Sequence, residues 1–253
     1  MQAKQEKNEM VEKLFKAGAH FAYAKSRRHP SMKPFIFGVK NKVEIFDLEK
    51  TKEMLEKAVA FVSSVASTNG QVLFLGGKNE SREAVKGTAL SVAMPYVSGR
   101  WIGGTLTNFS EIKKRILKLE TLTTQKEKGE LGKYTKKERL LIDREIENLK
   151  RFFGGLSVMR DLPKALFVVD AKREHIALAE AKQMGVPVIS LMNSDNNFKD
   201  CEYPIPANDA SVSSIKFFAT ELAKAYEKGK ITAKASAPAV VKPAPAVSDV
   251  KVK

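Results

Sequence analysis

Cysteine is almost missing: Cys201 is the only one among 253 residues, which excludes an intramolecular disulfide and a Cys-rich zinc site and fits a reducing compartment. Histidine is nearly as scarce, with His20, His29 and His175 alone. No apolar run approaches the ~20 residues of a membrane-spanning helix, and Met1 to Lys16 is charged throughout, without the apolar centre of a signal peptide. A cytoplasmic protein is expected. Phosphate loops are also lacking. If Gly77-Lys78 ended a Gly-x-x-x-x-Gly-Lys-Ser/Thr loop, Val72 would stand at the first glycine and Asn79 at the hydroxyl, and no predicted strand is followed by Gly-x-Gly-x-x-Gly. Acidic residues are in deficit, 29 Asp+Glu against 44 Lys+Arg, for a formal net charge of +15. That balance favours a polyanionic partner such as nucleic acid or an anionic membrane.

What is present reads as an α/β protein. Met10, Val11, Leu14 and Phe15 fall on one stripe of a short helix that Gly18 can end. Pro30 and Pro34 keep the following segment from being helical. Phe35 to Val39 and Val43 to Asp47 are β-type runs around Lys40-Asn41-Lys42, a hairpin with a basic tip. A helix from Asp47 to about Ser67 and the turn Asn69-Gly70 lead to Val72-Leu73-Phe74-Leu75, an apolar run expected for a strand covered on both faces. Gly76-Gly77-Lys78-Asn79 then makes a tight strand-to-helix turn with an exposed lysine. Tyr96 to Ser98 and Ala165 to Val169 read as further strands, with Asp170 at the end of the latter. A helix over Lys172 to Met184, a strand over Val186 to Leu191, a short one at Tyr203 to Ile205 and a helix from Asp209 to Gly229 complete the rhythm. Strands alternating with helices predict a parallel sheet with helices on both faces. Beyond Lys230 the Ala, Pro, Val and Lys content has no periodicity and predicts a flexible tail.

One stretch interrupts this pattern. Gly99 to Phe109 holds the only tryptophan, Trp101, beside Arg100, with Gly103-Gly104 to turn the backbone and Thr107 or Asn108 to cap the next helix. From Ser110 to Phe153 the spacing of Ile112, Ile116, Leu119 and Leu122, then Leu140, Leu141, Ile146, Leu149 and Phe152, predicts two paired helices. Their break spans Lys128 to Lys133, and Thr135 with Glu138 fits a capping box. Narrow apolar seams among charged positions suit a projecting antiparallel hairpin.

Candidate nucleic-acid contacts follow from charge and place. Lys25, Arg27, Arg28 and His29 form a basic loop with an aromatic beside it, continued by Lys33, and Lys40 and Lys42 sit at the hairpin tip. Lys78, Arg100 with Trp101, and Lys113, Lys114, Lys136 and Lys137 of the paired helices complete the set. No catalytic group is assigned. His175 begins a helix beside Glu174, and Asp200 and Glu202 should raise the Cys201 thiol. A rival reading is a nucleotide- or phosphosugar-binding enzyme using Asp170 at the sheet edge; another is a peripheral membrane protein, which needs a basic amphipathic helix with a free apolar face.

From Met10 to Gly229 the chain resembles the bacterial ribosomal protein S2 family. The resemblance rests on Lys16-Ala17-Gly18-Ala19-His20-Phe21, Met32 to Gly38, Asn41-Lys42-Val43 with Asp47 to Thr51, Arg100 to Asn108, Leu162 to Asp170, Glu174-His175, Glu180-Ala181 and Gly185 to Val188, all in order. It implies a flavodoxin-like three-layer sandwich with an inserted antiparallel coiled-coil hairpin: α/β domain over 1–107 and 154–229, hairpin over 108–153, tail over 230–253. It implies a non-enzymatic constituent of the small ribosomal subunit, cytoplasmic and ribosome-bound. Its partners would be small-subunit rRNA near the head–body junction and neighbouring ribosomal proteins, including the large mRNA-binding one, with no membrane and no cofactor. The family's His-Phe-Gly-His is here His20-Phe21-Ala22-Tyr23, its Asp-Thr-Asn-Ser-Asp is altered at Met192-Asn193-Ser194-Asp195, and its Asn-Asp-Asp is Asn208-Asp209-Ala210. Most ligands for a divalent ion are thereby missing, and no metal is expected.

Overall fold

The computed structural model describes residues 2–236. In chain order the elements are α1 (Gln2–Lys16), β1 (Phe21–Ala24), β2 (Ile36–Lys40), β3 (Val43–Phe46), α2 (Leu48–Ser67), β4 (Val72–Leu75), α3 (Asn79–Ser91) and β5 (Tyr96–Val97). Then follow α4 (Phe109–Glu127), α5 (Lys136–Phe153), β6 (Ala165–Val169), α6 (His175–Gln183), β7 (Val188–Met192), β8 (Tyr203–Pro206) and α7 (Val212–Ser236). Strands β4 to β8 make one parallel sheet in the order β5-β4-β6-β7-β8. Counted within the sheet this is 2-1-3-4-5, the flavodoxin-like order.

Both faces of the sheet are covered, so its strands alternate without becoming polar. Phe74, Phe167, Ile189 and Leu191 point to a core shared with Leu55 of α2, Val85 of α3 and Phe218 of α7. Leu73, Leu75, Leu166, Val168 and Val188 point to the other core, with Leu178 of α6, Trp101, and Ile112, Ile116, Ile146 and Leu149 of the helix pair. Those residues of α4 and α5 belong to the same apolar cluster, and ion pairs Lys118–Glu145 and Lys126–Asp143 tie the two helices side by side.

A second, antiparallel sheet has the order β1-β3-β2. The expected hairpin is there, and Asn41 and Lys42 both have positive φ, 52° and 66°, as a two-residue turn between right-twisted strands requires. Strand β1 is an addition to the elements expected from the sequence. Between β1 and β2 the chain winds in 3-10 turns over Lys25–Arg27 and Pro30–Phe35, where non-helical chain was expected; Pro30 stands at the start of its turn, where a missing N–H does no harm.

Several boundaries differ from expectation for identifiable reasons. α6 begins at His175, after a turn that follows Asp170, whose φ is 69°. On α1, Leu14 is buried but Phe15 faces out, so the stripe is narrower than read. On α5 the seam is Ile142, Ile146, Leu149 and Phe153, leaving Leu140 and Leu141 exposed. α7 runs to Ser236, past the expected stop at Gly229; the part of the expected tail beyond 236 lies outside the described residues. Gly229 is a packing residue, since a Cβ there would strike the Ser63 carbonyl of α2.

Gly229→Val should therefore lower folding stability by about 1–3 kcal/mol through overpacking. Gly87→Ala, at an exposed point of α3 where a Cβ meets nothing within 4 Å, should raise it by roughly 0.5–1 kcal/mol. Denaturant unfolding of both variants checks the pair.

Candidate nucleic-acid interface and the filled sheet edge

In a parallel sheet of this order, ligands bind beyond the carboxyl ends of the strands, where the order reverses between β4 and β6. Here that place is occupied by the protein itself. Lys78, expected as an exposed lysine, is turned inward with its side chain 12% exposed, and its ammonium lies 2.7 Å from Asp170 and 2.7 Å from Asp209. Asn193 Nδ2 donates to the other oxygen of Asp209 at 2.9 Å. Burial alone would favour neutral Lys78, but Asp209 and Asp170 hold it protonated, with its pKa raised. The glycine turn after β4, the other place for a phosphate, is likewise taken. The buried Glu174 carboxylate lies against Gly77 and leaves no room for a Cβ there. Asp170, the residue on which an enzyme reading would turn, is thus committed to an internal ion pair.

The junction is held by a single carboxylate from α6. Glu180 Oε1 accepts from Trp101 Nε1 at 3.0 Å and from Gly104 N at 2.8 Å, and Oε2 accepts from Leu106 N at 3.0 Å and from Thr107 N at 3.3 Å. Burial opposes ionisation of Glu180, but these donors outweigh it and leave the carboxyl below its ordinary value. Trp101 is buried, Arg100 exposed and Gly104 at φ 90°. Asn108 does stand at the N-cap of α4, yet its side chain makes no cap bond and instead accepts from Ser110 Oγ at 3.2 Å. Thr107 is drawn to Glu180.

The predicted basic residues divide into free and engaged groups. Lys25, Lys33, Lys40 and Lys42 are exposed, as are Lys136 and Lys137, and none forms an ion pair among the described residues. Arg27 stacks 4.2 Å from the Tyr23 ring and faces Asp195 at 3.7 Å. Arg28 is bound at 2.7 Å to Glu44, which is fully buried, so its charge is spent on the fold. His29 accepts from Ser31 N at 3.3 Å. Lys114 pairs with Glu111 at 2.6 Å, and Lys113 donates to the Arg160 carbonyl at 3.3 Å. Sequence reading missed an aromatic face beside the hairpin: Phe15, Phe21 and Phe37 are exposed, Phe37 by 80%. With His20 and Lys40 they line a groove of about 680 Å³. Alternate residues of a strand share a face, and Phe37 and Val39 of β2 are both exposed.

The family model described as ribosomal protein S2 matches residues 14–229. Small ribosomal subunit protein uS2 of a Nitratiruptor species is 41% identical over 217 residues, covering 86% of this chain and 81% of the relative. The protein of the same name from Pseudoalteromonas translucida is 39% identical over 223 residues, covering 88% and 92%. The chain belongs to the ribosomal protein S2 family. These relatives carry the name of a ribosomal protein, not of an enzyme. In this S2 chain Tyr23 N donates to Ser194 Oγ at 3.1 Å, and Asn193 supports Asp209. Among the described residues no three His, Cys, Asp or Glu side chains come together as a metal group, and no helix is long and apolar enough to cross a membrane. The Cys201 thiol is pushed up first by burial and then by Glu202 and Asp200, so the expected direction holds with a stronger cause.

Because its folded pKa is depressed, Glu180 contributes stability that is present above its ordinary value of 4.5 and is lost as pH falls through the folded value. Glu180→Gln should thus be less stable than the parent by about 1.5–3 kcal/mol at neutral pH. The gap should close on acidification below the ordinary carboxylate range. Urea unfolding of both proteins across pH measures it; a gap independent of pH would contradict an ionised anchor.

Proposed function

We propose that this chain is a structural constituent of the small ribosomal subunit, ribosome-bound in the cytoplasm, and that it holds small-subunit rRNA near the head–body junction. The observation that carries the reading is the S2 family match over residues 14–229 together with relatives named as small-subunit proteins. The net charge of +15 supplies the attraction to phosphate. Contacts fall to Lys25, Arg27, Lys33, Lys40 and Lys42 on one side, and to Arg100 and the lysines of an inserted helix pair, 108–153, on the other. Lys78, Arg28 and Trp101 serve from inside, by keeping the frame on which those cations sit. The exposed rings of Phe15, Phe21 and Phe37 are the surface we assign to a neighbouring ribosomal protein, the large mRNA-binding one, since rings gathered on an accessible face mark protein contacts.

The chain should co-sediment with small subunits from native extract. Lys40→Ala with Lys42→Ala should weaken rRNA binding and flatten its salt dependence by about one to two in slope. Phe37→Ser should leave rRNA affinity unchanged and reduce recovery of the large mRNA-binding protein with the subunit. Sedimentation of the chain apart from subunits would refute the reading.

A further inference from the structure

Five cations converge on one cleft of about 400 Å³: Arg82 and Lys86 of α3, Arg100 of the junction, and Lys150 and Arg151 of α5, with Phe152 beside them. Only Arg100 among them was foreseen as an RNA contact. All five are exposed, and among the described residues none forms an ion pair. No carboxylate lines this cleft. Four other clefts each include at least one acid: Glu83 and Glu227, Asp47 and Glu49, Glu221, and Asp195 with Asp200.

We infer that this cleft seats the phosphodiester backbone of RNA. Like charges facing each other across a concavity repel, and low-dielectric walls strengthen the field between them, so the empty cleft is poised for a polyanion. Elsewhere the chain relieves such repulsion with acids, as Lys118 and Lys126 do with Glu145 and Asp143 between α4 and α5. Three of the five cations are arginines, whose planar forks can take two phosphate oxygens at once. The Arg151 guanidinium lies 5.4 Å from the centre of the Phe152 ring, and Phe152 and Tyr96 are half-buried, leaving ring surface against which a sugar or base can lie. Val97, Ser98 and three glycines, Gly99, Gly154 and Gly155, form the rest. Gly155 is required because a Cβ would strike the Tyr96 carbonyl, whereas a Cβ on Gly99 meets nothing within 4 Å and would enter open space.

The inference rests on the rRNA-binding reading above and adds a contact that joins three elements distant in sequence. It is tested with the full chain and small-subunit rRNA transcribed in vitro, over a series of salt concentrations. Arg82→Ala, Lys150→Ala and Arg151→Ala combined should weaken binding on the order of tenfold and flatten the salt slope by about two. A charge-matched control, Lys57→Ala, Lys216→Ala and Lys228→Ala, removes exposed lysines elsewhere and should stay near the parent. Gly99→Asp, which sets a carboxylate among the cations without a clash, should weaken binding comparably while thermal unfolding stays unchanged. Equal losses in the triple variant and its control would overturn the cleft, since net charge would then explain both. Micromolar binding of inorganic pyrophosphate, abolished by the triple variant while rRNA affinity is not, would overturn it in favour of a small free anion. Failure of the unaltered chain to bind the rRNA would instead defeat the reading on which the cleft rests.

Discussion

The carboxylate of Glu180 sets the geometry on which the rest of the molecule depends. The segment from Trp101 to Thr107 has no strand or helix of its own to satisfy its N–H groups, and a buried unpaired donor costs about 1–3 kcal/mol. One side chain from α6 accepts from the Trp101 ring and from three backbone amides at once. The direction in which the chain leaves the sheet toward α4 is thereby fixed, and so is the placement of Arg100 at the mouth of the cleft it shares with α3 and α5. Fixed positions matter for a protein that holds RNA, because each mobile cation would lose side-chain entropy on binding.

Charge is handled in two opposite ways in this fold. At the sheet edge, where proteins of this topology keep their ligands, one ammonium is clasped between two carboxylates and the group closes the space. A buried arrangement of this kind gains little net stability, and breaking it by removing one partner is far worse than never having had it. On the outer surface Lys40 and Lys42 at the hairpin tip, Lys25 and Lys33 on the 3-10 loops and the five cations of the cleft form no ion pair among the described residues. The strand ends are thus filled by the protein's own side chains, and the free cations stand on the loops and helices around the sheet.

How much of this was legible depended on how local the cause was. The Lys40-Asn41-Lys42 turn and the Thr135–Glu138 capping box were readable because each is decided within four residues. The parallel sheet was readable because apolar runs alternate with helices of the right length. Lys78 was not: one of its two partners lies 131 residues along the chain, and the Glu180–Trp101 bond spans 79. Glu180 stood within a recognisable stretch, yet its role needed the fold. Gly229 misled because a glycine near a helix end reads as a stop, while here it lets two helices touch. Phe15, Leu140 and Leu141 misled in the other direction, as apolar residues that patterning assigns to a buried stripe and the fold leaves in the open.

The state of Cys201 has a practical consequence. Its thiol lies in apolar surroundings 4.0 Å from the sulfur of Met192 and is held protonated by burial and by two acidic neighbours, whereas alkylating reagents and peroxide attack the thiolate. The chain is therefore nearly mute toward thiol chemistry as it stands. A cysteine introduced at an exposed point, such as Gly132 between α4 and α5, would react first, and a fluorophore or crosslinker could be set there without removing the native residue.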